Sequence, residues 1–500
     1  MPGYEAEFRS SIDDPEAFWA TRAPAVAWDE TWRQVLDPEA KPGSRWFVGA
    51  RLNTCFNCVD RHVLAGHGDR TALFHESPGA GVSAAITYAE LLDRVARVAG
   101  GLQSLGVAKG DHVLIYMPMI PEIVIAMLAC ARLGAVHSLV GGGCPSEELA
   151  LRIDGFRPKV VLWGACGVEP SRVVEYQPLL ERALQLAQWQ VESTVVRQRV
   201  QARAPLKDGR DHCWIQLERS SSPVSCTSVE ATDPLYIMYT AGTTGKPKGV
   251  IRDNGGHAVA LTWSMRAVYD IGPGDVFWAA SDAGWQPSHS YGAYAPLLAG
   301  ASTVVFEGQP IGTPDAGVYW EVIERLGIKA ILVPPSAVQA IRSQDPEGFL
   351  AEGRDLSSLE AVFVAGEWVD AETHVWTRNL LGVPVVDQYW QTETGWPVCC
   401  ICRGIEELPT RSGSVNRCVP GYDVVALDAQ GQPLEPGLEG ALALRLPLPP
   451  GALATLWRDD GGFVRAYLDP YPGFYFTGDC GWIDVDGYVF VAGRLNDVTA

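Results

Sequence analysis

The stretch Tyr239–Gly249, reading Tyr-Thr-Ala-Gly-Thr-Thr-Gly-Lys-Pro-Lys-Gly, combines the groups that grip a phosphate. Gly242 and Gly245 let the backbone approach an anion closely, while Thr240, Thr243, Thr244, Lys246 and Lys248 offer hydroxyl donors and positive charge. The stretch differs from the common P-loop, which needs four residues between its first glycine and a Gly-Lys-Ser/Thr end. Taken alone, a Gly/Thr/Lys turn is also what a solvated loop looks like. Its meaning comes from later stretches. Asp387–Gly395 (Asp-Gln-Tyr-Trp-Gln-Thr-Glu-Thr-Gly) follows the apolar run Val383–Val386, so polar side chains cluster at a strand's carboxyl end. Tyr475–Asp479 places a carboxylate in a Gly-containing turn, and Gly493–Asp497 (Gly-Arg-Leu-Asn-Asp) lies at the end of the chain. Each could be a capped turn, but all of them in one order in one chain are hard to dismiss.

Something rigid must deliver these groups. The apolar run Leu235–Met238 predicts a short buried strand leading into the loop. Upstream, Thr87–Glu90 is a capping-box pattern, followed by Leu91, Leu92, Val95, Val98, Ala99 and Leu102 at helical spacing, with Gly106 ending the helix. A strand over Val113–Met117, a helix over Pro121–Arg132 and a strand over Ala135–Val140 then read as a βαβ unit in a mainly parallel sheet. The alternation continues with a strand at Val160–Trp163 and a helix at Gln177–Gln188. After the loop come a helix at His257–Val268, a strand at Ala301–Phe306, a helix at Tyr319–Arg325, and strands at Ile331–Val333 and Val362–Ala365. The fold class is therefore α/β, with two doubly wound sheets related by internal duplication and ligands expected at the carboxyl ends of strands. From about Cys399 the texture changes to short strands broken by Gly and Pro, such as Gly421–Leu427 and Gly440–Leu446, which predicts a small barrel-like unit. Phe18, Trp19, Trp28, Trp32 and Trp46 are expected to pin an N-terminal arm onto the body. The expected units are thus an arm over 1–60, two α/β subdomains over 61–398 and a β-rich subdomain over 399–493.

Composition bounds the function classes. Five hundred residues suggest two to four packed units, and 47% apolar with 20% charged residues is ordinary for a globular protein. A formal net charge of −20 argues against nucleic-acid and anionic-membrane surfaces, so a phosphate ligand needs a local cationic pocket. Apolar runs such as Val113–Met117 and Val160–Trp163 are far short of a membrane span, and the acidic N-terminus lacks the apolar core of a signal peptide. The 12 cysteines show no zinc-ligand spacing. The crowded Cys399, Cys400 and Cys402 suit buried apolar positions better than a metal, and thiols in a reducing cytoplasm are the simplest account.

Together the motifs resemble those of the adenylate-forming (AMP-dependent) acyl-CoA synthetases, from about Tyr4 to the last residue. Tyr239–Gly249 is similar to the family's phosphate loop, Tyr389–Gly395 to its WQTETG-like motif, Tyr475–Asp479 to its YxTGD motif and Gly493-Arg494 to the start of its hinge. Within the short-chain branch, Arg252–His257, Pro310–Gly317 and Gly167–Val174 look most like propionyl-CoA synthetases. The resemblance implies the large N-terminal part of the adenylate-forming fold. It also implies a two-step reaction, in which a carboxylate attacks the α-phosphate of ATP to give an acyl-adenylate and pyrophosphate, and CoA thiolate then displaces AMP. Such transfer is mostly positioning and charge stabilisation, which suits amides, hydroxyls and lysines rather than a covalent nucleophile. By resemblance, Thr240, Gly242, Thr243, Thr244, Gly245 and Lys248 hold the β- and γ-phosphates, and Thr392 the α-phosphate. Glu393 is the implied Mg2+ ligand, with Thr244 beside it, since hard oxygen donors suit that ion. Asp479 takes the ribose hydroxyls and Arg494 the ribose or a phosphate. Gly366, Glu367, Asp387, Gln388 and Tyr389 line the adenine site.

The resemblance also bears on the acid. Trp390 corresponds to the tryptophan that walls off the pocket in short-chain members, and Ala365 stands where acetate-specific relatives carry valine, which favours propionate over acetate. Trp285, Gln286 and Pro287 fall in the acyl pocket. Gln286 replaces an apolar residue there, and a buried amide demands a partner. A hydroxylated acid such as 3-hydroxypropionate would supply one; backbone or solvent would serve as well. The small-molecule acid, ATP and CoA are the expected partners, and oligomeric state is left open. Family members continue past the hinge into a C-terminal lid, whereas this sequence stops at Ala500, with Asn496 in place of the hinge aspartate. Residues 494–500 therefore read as the start of the hinge, and weak turnover is expected of this chain by itself. The alternatives are the ligase portion of a larger fused enzyme and a non-catalytic nucleotide-binding fragment.

Overall fold

Thr87 accepts the backbone N–H of Glu90 at 3.2 Å while the Glu90 carboxylate accepts that of Thr87 at 2.8 Å, so the capping box forms and starts the helix Tyr88–Ser104. The computed structural model describes residues 3–240, 247–367 and 369–495. The strand His112–Met117, the helix Pro121–Leu133 and the strand Val136–Gly141 make the parallel βαβ unit. That helix is apolar nearly all round and all of it is buried, as expected for a helix with no solvent face.

Two seven-stranded sheets carry the fold. The first runs Asp211–Cys213, Ser193–Arg197, Val160–Gly164, His112–Met117, Val136–Gly141, Pro234–Thr240 and Lys248–Asp253. The second runs Val385–Gln388, Ala361–Ala365, Ala330–Val333, Val276–Ala279, Ser302–Phe306, Thr71–Ser77 and Val82–Thr87. Each is parallel except for one antiparallel edge strand, Lys248–Asp253 in the first and Val82–Thr87 in the second. The two sheets thus share a layout, as the alternation predicts. The central strands are buried on both faces, which explains their continuous Val/Ile/Leu runs.

The structure departs from the sequence reading beside the loop. The strand before it is longer than Leu235–Met238 and returns as Lys248–Asp253, with Thr240 opposite Lys248 in register. The loop therefore bridges an antiparallel pair, and the following helix starts at Gly255. Residues past Cys399 supply a four-stranded antiparallel sheet of Val424–Leu427, Gly440–Arg445, Phe474–Ile483 and Val489–Arg494. The N-terminal tryptophans do pin their segment. Trp19 is fully buried edge-on against Trp263 and Trp396, and Trp46 Nε1 donates to the Leu448 carbonyl at 2.9 Å. All 12 cysteines are free, with Cys399, Cys400 and Cys402 buried. Among the described residues, no helix is long and apolar enough to cross a membrane.

Candidate active site

The carboxyl ends of three strands converge on one cavity of about 540 Å3. Thr240 ends one strand, Gly366 follows Ala361–Ala365, and Gln388 ends Val385–Gln388. Trp285, Gln286 and Pro287 join from the turn into the helix Gln286–His289, and Tyr389, Trp390, Gln391, Thr392 and Glu393 from the loop after Gln388. Asp479 and Arg494 complete it from the adjacent strands of the small sheet.

Backbone geometry fixes the walls at two glycines. Gly366 has φ +94°, and a Cβ there would fall 2.3 Å from Trp285 Cζ2, so the indole presses on bare main chain. Gly395, at φ +82°, ends the turn that carries Thr392 and Glu393, and a Cβ there would strike the Gly451 carbonyl at 2.4 Å. Arg252 explains the crowding. It is fully buried and donates to the carbonyls of Thr392, Glu393 and Gly451, so one guanidinium ties this turn to the core.

Asp479 accepts from Tyr389 Oη at 2.6 Å and from Gln391 Nε2 at 2.8 Å, and pairs with Arg494 at 3.2 Å. Burial pushes its carboxyl above the usual carboxylate range, against the lowering effect of the Tyr389 bond and the Arg494 charge. Gln391 is held in turn, with Nε2 on the Thr477 carbonyl at 2.8 Å and Oε1 receiving Tyr475 Oη at 3.3 Å. Arg494 is 60% exposed, so it is free to leave Asp479 for an incoming ligand at small cost. Glu393 Oε1 accepts from Tyr467 Oη at 2.7 Å, and the Lys248 ammonium sits 5.2 Å from the Tyr467 ring centre. Tyr467 thus connects the base of the loop to Glu393. This set can hold a polyphosphate and a sugar diol at one end and a compact acid at the other.

Most of the residues read from sequence therefore meet in one place: Thr240, Trp285, Gln286, Pro287, Gly366, Glu367, Gln388, Tyr389, Trp390, Thr392, Glu393, Asp479 and Arg494. Others do not line it. Asp387 lines a neighbouring cleft of about 310 Å3 that shares Glu367 and Gln388 with the central cavity, and there it lies 3.3 Å from His374 Nε2. Lys248 lines a separate cleft with Trp457 and Arg458. Ala365 is buried just behind Gly366. Gly242, Thr243, Thr244, Gly245 and Asn496 lie outside the described residues. Gln391, Tyr467 and Arg252 had no role from sequence. Gln391 lies inside the Asp387–Gly395 motif and Arg252 inside the Arg252–His257 stretch, so both were marked; Tyr467 carried no signal.

Comparison with known proteins agrees with this geometry. The AMP-binding enzyme family matches residues 60–449, and the acetyl-coenzyme A synthetase N-terminus matches residues 4–58. The chain is 45% identical to the human mitochondrial acyl-CoA synthetase short-chain family member 3, over 99% of this chain and 72% of that one. It is 41% identical to the propionate–CoA ligase of Escherichia coli, over 98% of this chain and 78% of the relative. The solved acetoacetyl-CoA synthetase of Streptomyces lividans superposes with a TM-score of 0.91 at 25% identity, over 99% of this chain and 76% of that chain. The chain belongs to the AMP-binding enzyme family and, within it, to the AMP-forming short-chain acyl-CoA synthetases, which are acid–thiol ligases.

Proposed function

We propose that the chain activates propionate or a similar C3 acid with ATP and passes the acyl group to CoA. The observation that carries this is the single cavity in which Thr240, Thr392, Glu393, Asp479 and Arg494 face the aromatic walls of Trp285 and Trp390. A carboxylate oxygen attacks the α-phosphorus, the bond to the β-phosphate oxygen breaks, and pyrophosphate leaves. The thiolate then forms the C–S bond as the acyl carbon–phosphate oxygen bond breaks and AMP departs. Thr240 and Thr392 align the phosphates, Lys248 at the base of the loop adds positive charge from the adjoining cleft, and Asp479 accepts the ribose hydroxyls as Arg494 swings away from it. Adenine is bounded by Gly366, Glu367, Gln388 and Tyr389.

Glu393 fits Mg2+, since its carboxylate accepts from the neutral Tyr467 hydroxyl, which leaves its charge uncompensated by that bond, and it lines the cavity beside Thr240 and Thr392. When bound, the ion draws charge from the phosphate oxygens. Trp390, edge-on to Tyr291 at 5.4 Å, closes the acid end against long chains. Twelve free cysteines suit a reducing cytoplasm.

The test is acid-dependent ATP–pyrophosphate exchange over C2–C4 acids, followed by thioester detection with CoA. The expected result is a kcat/KM maximum at three carbons with AMP as product. A maximum at acetate overturns the C3 reading, and ADP as product overturns the two-step reaction.

A further inference from the structure

The acid end of the cavity contains two buried polar atoms without a hydrogen-bond partner among the described residues, the donor Trp390 Nε1 and the acceptor Gln286 Oε1. Gln286 is 2% exposed and lines the cavity between Trp285 and Pro287. Its Nε2 lies 2.8 Å from Ser290 Oγ, 3.2 Å from Tyr236 Oη and 3.4 Å from the Gly395 carbonyl oxygen, which gives its two N–H groups their acceptors. The carbonyl oxygen of Gly395 can only accept, which favours the amide nitrogen on that side. The other end of the amide, Oε1, is buried and has no hydrogen-bond partner among the described residues. Both hydroxyls nearby are engaged on the Nε2 side, where Tyr236 Oη and Ser290 Oγ lie 3.1 Å apart and His257 Nε2 reaches Ser290 at 3.3 Å.

A buried acceptor without a donor disfavours whatever state leaves it so, and a ligand that donates to it gains selectively over one that cannot. An aliphatic acid tail has no donor. An ammonium group has donors, but its surroundings would repel it. Burial drives His257 and His289 well below the usual imidazole range, so the rings are neutral, and the nearby Arg252 charge lowers both further. A neutral amide cannot compensate a buried cation.

Resting on the ligase reading above, we propose that the site selects a short carboxylic acid carrying a hydroxyl, and that Gln286 Oε1 is the acceptor that reads that hydroxyl. Gln286 is then a specificity residue of the acid end.

The experiment is pyrophosphate exchange with the full chain on propionate, 3-hydroxypropionate, lactate and β-alanine. The expected result is a kcat/KM for one of the two hydroxy acids at least about tenfold above propionate. The Gln286→Met and Gln286→Leu variants, each with its Tm recorded, should bring the ratio of kcat/KM for the hydroxy acid over propionate down to about one or below, whatever the change in absolute rate. Propionate equal to or better than both hydroxy acids in the unmodified chain leaves the acceptor to water and overturns the inference alone, as does an unchanged ratio in a folded variant. Preference for β-alanine also overturns it, because the donor would be charged. Exchange with none of the acids overturns the ligase reading and this inference together.

Discussion

The two ends of the central cavity are built by opposite means. At the end proposed to hold the nucleotide, three groups are tethered: Asp479 by Tyr389, Gln391 and Arg494, Glu393 by Tyr467, and the Thr392–Glu393 main chain by Arg252. At the acid end the walls are mostly packed surface. Trp285 lies on the backbone of Gly366, Trp390 stands against Tyr291, and the buried Trp390 Nε1 has no partner among the described residues. Charge developing on phosphate is stabilised only by dipoles already fixed in place, which requires such tethers. A short acyl tail is measured by volume, and volume is set by which side chains stop where. Changes at the first end should therefore alter rate for every acid, and changes at the second should alter which acid is used.

The largest expected effect tests the first half of that division. Glu393→Gln keeps an oxygen to receive Tyr467 Oη but removes the negative charge. Exchange should fall on the order of 10²–10³-fold with acetate, propionate and butyrate alike. Measured side by side, the three rates should drop by the same factor. A loss confined to one acid would mean that the charge helps shape the acid end, and the division between the ends would fail.

The same contrast explains what could be read from sequence. The nucleotide end was legible because tethered polar groups need fixed residue types at fixed spacing. Tyr389 through Glu393 from one motif and Asp479 from another line the same cavity. The parallel sheets were legible because strands buried on both faces leave continuous apolar runs. Long-range pairings were not. The strand Lys248–Asp253 is short and half-buried, and Thr71–Ser77 is defined by pairing with Ser302–Phe306 far along the chain. Asp387 illustrates a finer limit. It sits in the motif but lines a neighbouring cleft that shares Glu367 and Gln388 with the central cavity, a detail that motif position alone does not show. Tyr467 bonds a residue 74 positions away, and no local pattern announces that.

A smaller effect tests the acid end. Replacing Trp390 by glycine removes the wall that stands 5.4 Å from Tyr291 without touching any tether of Asp479 or Glu393. Relative kcat/KM for valerate over propionate should rise about 10- to 100-fold, since each added methylene gains a place to sit. The KM for ATP should stay within about twofold. If the variant loses ATP affinity instead, the indole belongs to the nucleotide end, and the two ends share a wall rather than dividing the work.

The smallest effect concerns stability and the charge beside Arg252, which ties the Thr392–Glu393 turn. Asp253 follows Arg252 in the edge strand and accepts the His257 backbone N–H at 3.1 Å. Burial pushes its carboxyl from the ordinary 3.8 up to about 6, and the backbone bonds and the Arg45 and Arg252 charges do not offset that. Between those values the folded chain keeps a proton that the unfolded chain has released. Stability contributed at this position is therefore highest in acid, declines as pH rises from about 4 to 6, and stays at the lower level above. Asp253→Asn keeps the acceptor and abolishes the titration. It should stabilise the protein by on the order of 1–3 kcal/mol at pH 8, with the gain shrinking as pH is lowered through 6 toward 4. Thermal unfolding of both proteins across that range checks the sign and the window. A loss of stability equal at pH 8 and pH 5 would mean that the carboxylate is favourable where it sits. Arg252 would then be held by a charge pair as well as by the three carbonyls it contacts, and the nucleotide end would rest on compensated charge rather than on dipoles alone.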